Sequence, residues 1–398
     1  MLRELMIKVY LILFRFFFNL FNSKELQDKT VFVASFGANI KATMEELERQ
    51  KADHHIVILK SKNCKAVFDS RPNRTILEFE SGSISQFLKS IYHLATAKHI
   101  FIDNYYGFLA VTDFREEVKC VQLWHAAGAI KQFGLQDLTN KNRTEEALRR
   151  FQRVYNRFDH VVVGSDQMIQ IFKESFGLPE ERFLRTGIPR TDFFFDDLEK
   201  ARVVKKIQAD FPIIKEKKVI LYAPTYRDDE LSSTKLQLNF DMMYKHLKHE
   251  YVLFLRLHPA VNSQFENKYP GFIYNVSSYQ NINHLLLVTD VLISDYSSIP
   301  FEFSLLNRPM IFYAYDLDEY AEKRGLWKDY EERVPGPVVY STDELINVIE
   351  QRAFQLEKVR PFAEEWNKYS QGNSSENLVK ALYAEPVIEE KQKIREHV

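Results

Sequence analysis

The sequence predicts an α/β protein of two Rossmann-like halves facing each other across a cleft, and three observations carry that expectation. From Ser23 onward, short β-branched and aromatic runs alternate with amphipathic helical stretches. The runs are apolar almost throughout, not at every second residue, which is the pattern of parallel strands covered on both faces. The alternation then restarts after a charged stretch at 199–218 (EKARVVKKIQADFPIIKEKK), which reads as a helix crossing between the halves. A chain of 398 residues accommodates two domains of about 100–200 residues each.

The first element is a helix over residues 5–21 (LMIKVYLILFRFFFNLF). Its longest uninterrupted apolar run is six residues, far short of the ~20 needed to span a bilayer. Arg15 splits the segment and no small-residue cleavage site follows, so a signal peptide fits poorly. On a helical wheel Glu4, Lys8, Arg15, Asn19 and Asn22 fall within about 60°. The broad remainder is aliphatic and aromatic, as expected of a helix lying in a membrane interface. The alternative is a helix packed on the core or on a dimer partner, although three consecutive phenylalanines at 16–18 wrap too far round to face one core.

Strands follow at 30–37, 55–60, 76–80, 99–103, 118–124, 160–165 and 182–187, with a helix near 41–51. After the crossing helix, strands are expected at 218–224, 251–259, 272–277, 291–295 and 309–315. No internal repeat, G-x-G-x-x-G or P-loop is visible. The net charge of −1, from 54 basic and 55 acidic residues, offers no global field for a nucleic-acid partner. Cys64 and Cys120 support neither a disulfide framework nor a cysteine-rich metal site, so the chain reads as cytosolic.

In open α/β sheets ligands bind beyond the carboxyl ends of strands, and four strand ends here carry polar residues. In W-H-A-A-G-A-I-K-Q-F-G (124–134), His125 stands where a strand gives way to a turn, near Gly128 and Lys131. A histidine there is either a general base or a side chain bonded to a loop carbonyl. In L-R-L-H-P (255–259), Arg256 and His258 share a strand face, and Pro259 stiffens the exit. In V-L-I-S-D-Y-S-S-I-P-F-E (291–302), Ser297 and Ser298 precede a helix whose N-terminus suits a pyrophosphate. Asp295 ends the strand, and Glu302, one turn into that helix, reaches a sugar or glycerol hydroxyl or merely favours the dipole. In A-P-T-Y-R-D-D (223–229), Thr225 and Arg227 are available to phosphate. Arg149, Arg153 and Arg157 repeat at helical spacing after Thr144, forming a basic face for a diphosphate or anionic lipid, or a solvated one. No cluster has zinc or magnesium ligand spacing, and nothing suggests acyl transfer.

W-H-A-A-G-A-I-K-Q-F-G, G-I-P-R-T-D (187–192), A-P-T-Y-R-D, R-L-H-P and S-D-Y-S-S together resemble the CDP-glycerol glycerophosphotransferase family of wall teichoic acid synthesis, in order over roughly residues 95–370. The resemblance implies a GT-B-type fold at the cytoplasmic membrane face of a Gram-positive bacterium. With the amphipathic segment read as a membrane-associating helix at 1–24 and the chain divided at 25–197 and 198–385, the resemblance makes the first of these domains the acceptor side and the second the CDP-glycerol-binding side. His125 and His258 match the family's two essential histidines, and Ser297 and Ser298 its phosphate-binding serines. D-N-Y-Y-G (103–107) and W-H-A-A-G, where polymerases usually read W-H-G-T, are similar to the priming members. The implied reaction is transfer of one sn-glycerol 3-phosphate from CDP-glycerol to ManNAc-GlcNAc-diphospho-undecaprenol, releasing CMP. It would need no cofactor and no metal, with Asp295 the residue that keeps a metal open. Implied partners are that lipid-linked disaccharide, CDP-glycerol and the membrane surface, with a second copy or other teichoic acid enzymes as further candidates. The rival readings are a short polymerase or second-unit transferase, a GT-B glycosyltransferase using a nucleotide sugar, and a non-catalytic membrane scaffold. Acceptor requirement, donor use and CMP release separate them.

Overall fold

The computed structural model describes residues 2–225, 227, 236–257, 265–327 and 330–384. The apolar runs form two wholly parallel sheets. The first contains β1 (Gln27–Ala34), β2 (His55–Ser61), β3 (Arg74–Phe79), β4 (Ala97–Ile102), β5 (Lys119–Gln122), β6 (His160–Val162) and β7 (Phe183–Leu184), in the order β3-β2-β1-β4-β5-β6-β7. The second contains β8 (Lys218–Tyr222), β9 (Tyr251–Leu255), β10 (Ile273–Asn275), β11 (Val291–Ser294), β12 (Met310–Tyr313) and β13 (Val338–Val339), in the order β10-β9-β8-β11-β12-β13. The two-residue β13 has no counterpart among the expected strands. In β1 Val31, Phe32, Val33 and Ala34 are all fully buried, which explains why the run is apolar instead of alternating.

Both sheets wind outward in two directions from a central pair, β1/β4 in one and β8/β11 in the other. These pairs are the switch points at which a doubly wound sheet opens a crevice for ligand. The charged stretch at 199–218 is helical only as far as Asp210; a short 3-10 turn at Pro212–Lys215 then leads into β8. Every strand of the second sheet follows residue 198. The last two helices, Val359–Trp366 and Ser374–Tyr383, were expected in the same unit but return to the first sheet. There Phe362, Trp366, Leu378 and Val379 join its core, and the Tyr383 hydroxyl meets Thr30 Oγ1 at 2.5 Å.

The first helix, α1 (Leu2–Asn22), presents three faces. Phe14 and Phe18 are fully buried against Phe87, Phe108 and Phe114, so one face packs on the first sheet's helical layer. Leu5, Met6, Val9, Ile12, Leu13, Phe16 and Leu20 lie outward, each 47–67% exposed, within about 120° of the wheel. The polar stripe runs between these faces. Among the described residues no helix is long and apolar enough to cross a membrane.

Candidate active site

At the first switch point Asp103, immediately after β4, is completely buried. Its carboxylate accepts the backbone N–H groups of Ser35 (2.8 Å), Phe36 (3.0 Å) and Gly37 (2.6 Å), and the Tyr106 hydroxyl at 3.2 Å. Burial raises its pKa and these donors oppose the rise. Gly37 turns the chain with φ +86°, a conformation glycine adopts without penalty. Asp103 thereby binds the loop after β1 to the end of β4, and its own carbonyl faces His125 Nδ1 at 3.1 Å.

The His125 ring lies between Phe36, with centroids 4.0 Å apart and planes 13° apart, and Trp124, at 4.3 Å and 28°. Burial pushes its pKa down to about 4, the Asp103 carbonyl opposing and the charges of Arg190 and Lys131 adding. A neutral imidazole facing a carbonyl through Nδ1 carries its proton there and leaves Nε2 as the acceptor. Backbone constraint supports this position. Trp124 holds φ +58°, with its N–H on Gln122 Oε1 (2.8 Å) and its carbonyl accepting Asn39 Nδ2 (3.0 Å). Because the left-handed residue of the turn is Trp124, the alanines at 126 and 127 take no strain from being other than glycine.

The second switch point holds a charged network. Asp295, immediately after β11, is 2% exposed. It accepts Thr225 N–H (2.9 Å), Thr225 Oγ1 (2.6 Å), Arg227 Nη1 (3.0 Å) and its own neighbour Tyr296 N–H (2.7 Å). Arg227 also forks onto Asp316 at 2.8 and 3.0 Å and lies over the rings of Tyr296, Tyr315 and Tyr320. Burial works to lower its pKa, but Asp316 and Asp295 outweigh it and hold the guanidinium further up.

The two halves meet around these points. Gln132 N–H bonds Gly325 carbonyl and Trp327 N–H bonds Ile130 carbonyl, both at 3.0 Å, in a short antiparallel bridge centred on Lys131 and Leu326. Burial pushes the Lys131 ammonium below its ordinary range; the charge of Asp295 opposes this, and those of Arg324 and Arg227 add to it. Among the described residues no carboxylate pairs with Lys131, which leaves a partly buried cation between His125 and Asp295.

Several expected ligands are spent on structure. Glu302, 2% exposed, pairs with Arg190 Nε at 2.6 Å, and Arg190 N–H bonds Asn39 Oδ1, so this chain of contacts ties the halves together. A Cβ on Gly128 would lie 2.4 Å from the Phe301 ring, so that glycine permits packing between the halves. Arg256 lies just past the end of β9 and clamps the carbonyl of Tyr279 at 2.7 Å. Ser297 Oγ accepts Ile299 N–H at 3.2 Å, and the helix it opens, Ile299–Phe303, has proline as its second residue. With Ile299 N–H taken and Pro300 lacking one, that N-terminus offers fewer free donors than an ordinary helix start. Arg157 lies past the end of its helix (Glu145–Tyr155) and pairs with Asp113, while Arg149 meets Glu145, so the expected arginine stripe is broken. His258 lies outside the described residues. The sequence assigns no role to Phe36, Asn39, Asp103 or Arg190, although Asp103 opens D-N-Y-Y-G and Arg190 stands in G-I-P-R-T-D; a further signal is an aspartate closing each of two apolar strands, H-I-F-I-D and V-L-I-S-D. Among the described residues no group of three or more His, Cys, Asp or Glu is arranged to hold a metal ion.

The family described as CDP-glycerol:poly(glycerophosphate) glycerophosphotransferase matches residues 15–384. The chain is 41% identical over 354 residues to the teichoic acid glycerol-phosphate primase of Bacillus subtilis, with 89% of this chain and 91% of that relative covered. It is 35% identical over 356 residues to the protein of the same description from Bacillus spizizenii, with 89% and 92% covered. Its structure is similar to that of the wall teichoic acid polymerase TagF, with a TM-score of 0.80 over 96% of this chain and 97% of that chain; at 23% identity this likeness speaks for the fold alone.

Proposed function

The chain belongs to the CDP-glycerol:poly(glycerophosphate) glycerophosphotransferase family, and from that premise we propose that it is a priming enzyme. It transfers one sn-glycerol 3-phosphate from CDP-glycerol to ManNAc-GlcNAc-diphospho-undecaprenol and releases CMP. The observation that carries this reading is His125, its Nδ1 on the Asp103 carbonyl and its ring clamped between Phe36 and Trp124, with Nε2 left to act.

An acceptor sugar hydroxyl is a weak nucleophile until its proton has somewhere to go. Nε2 takes that proton as the hydroxyl oxygen bonds to the β-phosphorus. The bond from that phosphorus to the bridging oxygen breaks, and the electron pair leaves on CMP. A pKa of about 4 keeps the imidazole neutral and able to accept at cytoplasmic pH. Charge developing on the phosphates needs fixed donors in a closed site. Lys131, which pairs with no carboxylate among the described residues, is the cation best placed for this, with Ser298 beside it in function; Arg227, Thr225 and Asp295 hold the loop that shapes the phosphate side. His258 belongs to the same proposal through its motif.

The two switch points face a GT-B-type cleft in this reading, acceptor on the side of the first sheet and CDP-glycerol on the side of the second. The outward apolar face of α1 seats the enzyme on the cytoplasmic side of the membrane as a peripheral protein. The test is CMP release from CDP-glycerol with two synthetic acceptors, the bare disaccharide diphospholipid and the same lipid carrying one glycerol phosphate. One unit added to the bare acceptor alone is the expected result. Extension of the primed acceptor makes the chain an elongating enzyme instead.

A further inference from the structure

A cavity of about 700 Å³ lies under α1, remote in sequence from both switch-point motifs except at one wall. Ile7, Tyr10 and Leu11 of α1 form its roof, and Phe87 and Phe151 line it from the helices beneath. Two guanidinium groups, Arg143 and Arg150, face this mostly apolar space. Arg143 lies over the Phe151 ring at 5.1 Å, and Arg150 reaches Glu4 at 3.4 Å with the Tyr105 hydroxyl beside it. The one lining carboxylate, Glu80, already accepts the Tyr10 hydroxyl at 2.9 Å. The lining therefore gathers two guanidinium groups at one place, Arg150 shared with Glu4 and Arg143 stacked on a ring, and is aromatic elsewhere.

We propose that this cavity holds the diphosphate and first isoprenoid units of the lipid-linked acceptor, the arginines taking the diphosphate and the aromatic walls the chain. The inference rests on the acceptor class proposed above and goes beyond it by assigning the subsite. Charge complementarity selects a polyprenyl diphosphate over a neutral lipid. Two further features favour it over a free phosphate. The exposed apolar stripe of α1 and Ile84, 77% exposed on the cavity rim, join the space to a hydrophobic surface. The other wall, Tyr105 to Gly107, belongs to the same segment as Asp103, whose carbonyl holds His125. Four residue steps span at most about 15 Å, so an acceptor anchored here presents its sugars toward the base.

The experiment uses the full chain and a fluorescently labelled farnesyl diphosphate in vesicle-free buffer. Gly107→Leu fills the space from a position where a Cβ meets nothing within 4 Å, and Arg143→Gln removes an exposed charge. Each is expected to weaken probe binding at least tenfold without lowering the melting temperature. Unlabelled farnesyl diphosphate should displace the probe, whereas dihexanoyl-phosphatidylglycerol and inorganic pyrophosphate should not. Displacement by either of those two at equal concentration, or unchanged affinity in both variants while the wild type still releases CMP, overturns the cavity assignment alone. Absence of CMP release from the wild type with every acceptor overturns the transferase reading and the subsite with it.

Discussion

The two sheets solve the same local problem with the same residue and leave different groups free. Asp103 after β4 and Asp295 after β11 occupy corresponding places in the two strand orders, and each is buried while binding the loop after its sheet's central partner strand. Around Asp103 the donors are backbone amides and a tyrosine hydroxyl, so no counter-charge is needed and a neutral histidine is positioned beside it. Around Asp295 the donors include a guanidinium that is itself held by Asp316, so most of the charge on that side is consumed internally. The first region is built for proton transfer, and the second is a charged frame beside Lys131, a cation from the other half of the chain that pairs with no carboxylate among the described residues.

The largest expected effect tests that division directly. Replacing His125 by Asn should lower kcat by about 10²–10⁴, the range of general-base loss, while CDP-glycerol affinity stays within threefold. Equal losses in turnover and donor affinity, measured by CMP release and calorimetry, would remove the base assignment. In the second region Arg227→Ala should act on stability first. It leaves Asp295 buried and Asp316 half-buried without their cation, a change that costs about 3–5 kcal/mol for a broken buried pair. A variant with wild-type urea stability and no donor binding would instead make Arg227 a ligand.

Lys131→Met separates frame from ligand more finely. No ion pair is lost among the described residues, so stability should hold within about 0.5 kcal/mol. Losing a charged contact to phosphate, about 1.5–3 kcal/mol, should raise the KM for CDP-glycerol at least tenfold. An unchanged KM would place the donor phosphates elsewhere.

The fold was legible because strand character depends on local composition: all twelve expected runs are strands, and only the two-residue β13 went unread. The site was legible in position more than in role. His125 is named by its place at a strand end, but Glu302 and Gly128 looked like ligands because a sequence does not show which partner across a cleft will consume them. Those partners are Arg190, 112 residues from Glu302, and Phe301, 173 residues from Gly128. Asp103 was legible as the start of D-N-Y-Y-G but not as the residue that binds two loops, because a lone aspartate ending a strand carries no spacing signal, although Asp295 repeats it.

Acid should affect the first region before the second. The folded-state pKa of His125, His93 and His99 is pushed down to about 4 from an ordinary 6.5, in each case chiefly by burial. Depressed folded values mean that the unfolded chain binds protons first. The stability they contribute is complete above pH 6.5 and is lost as pH falls toward 4. The urea midpoint should therefore decline through that window, and kcat/KM should stay level on the acid side until about pH 5. An acid limb centred near 6.5 would mean that the base is a histidine in a more solvated setting than His125.

The smallest effects come from the serine pair, where the comparison is sharpest. Ser297 already spends its hydroxyl on Ile299 N–H, so Ser297→Ala should cost about 0.5–1 kcal/mol of stability, in the range of a lost local cap. It should shift the KM for CDP-glycerol by less than threefold, because the group removed faces the backbone. Ser298 opens the same helix without a side-chain capping bond. Its loss should leave the melting temperature in place and raise that KM by about three- to tenfold, the worth of one ordinary hydrogen bond of about 0.5–1.5 kcal/mol. If both alanine variants instead lose stability and neither moves the KM, the serines belong to the frame around Asp295, and donor recognition on this side rests on Lys131 together with residues outside the described ones.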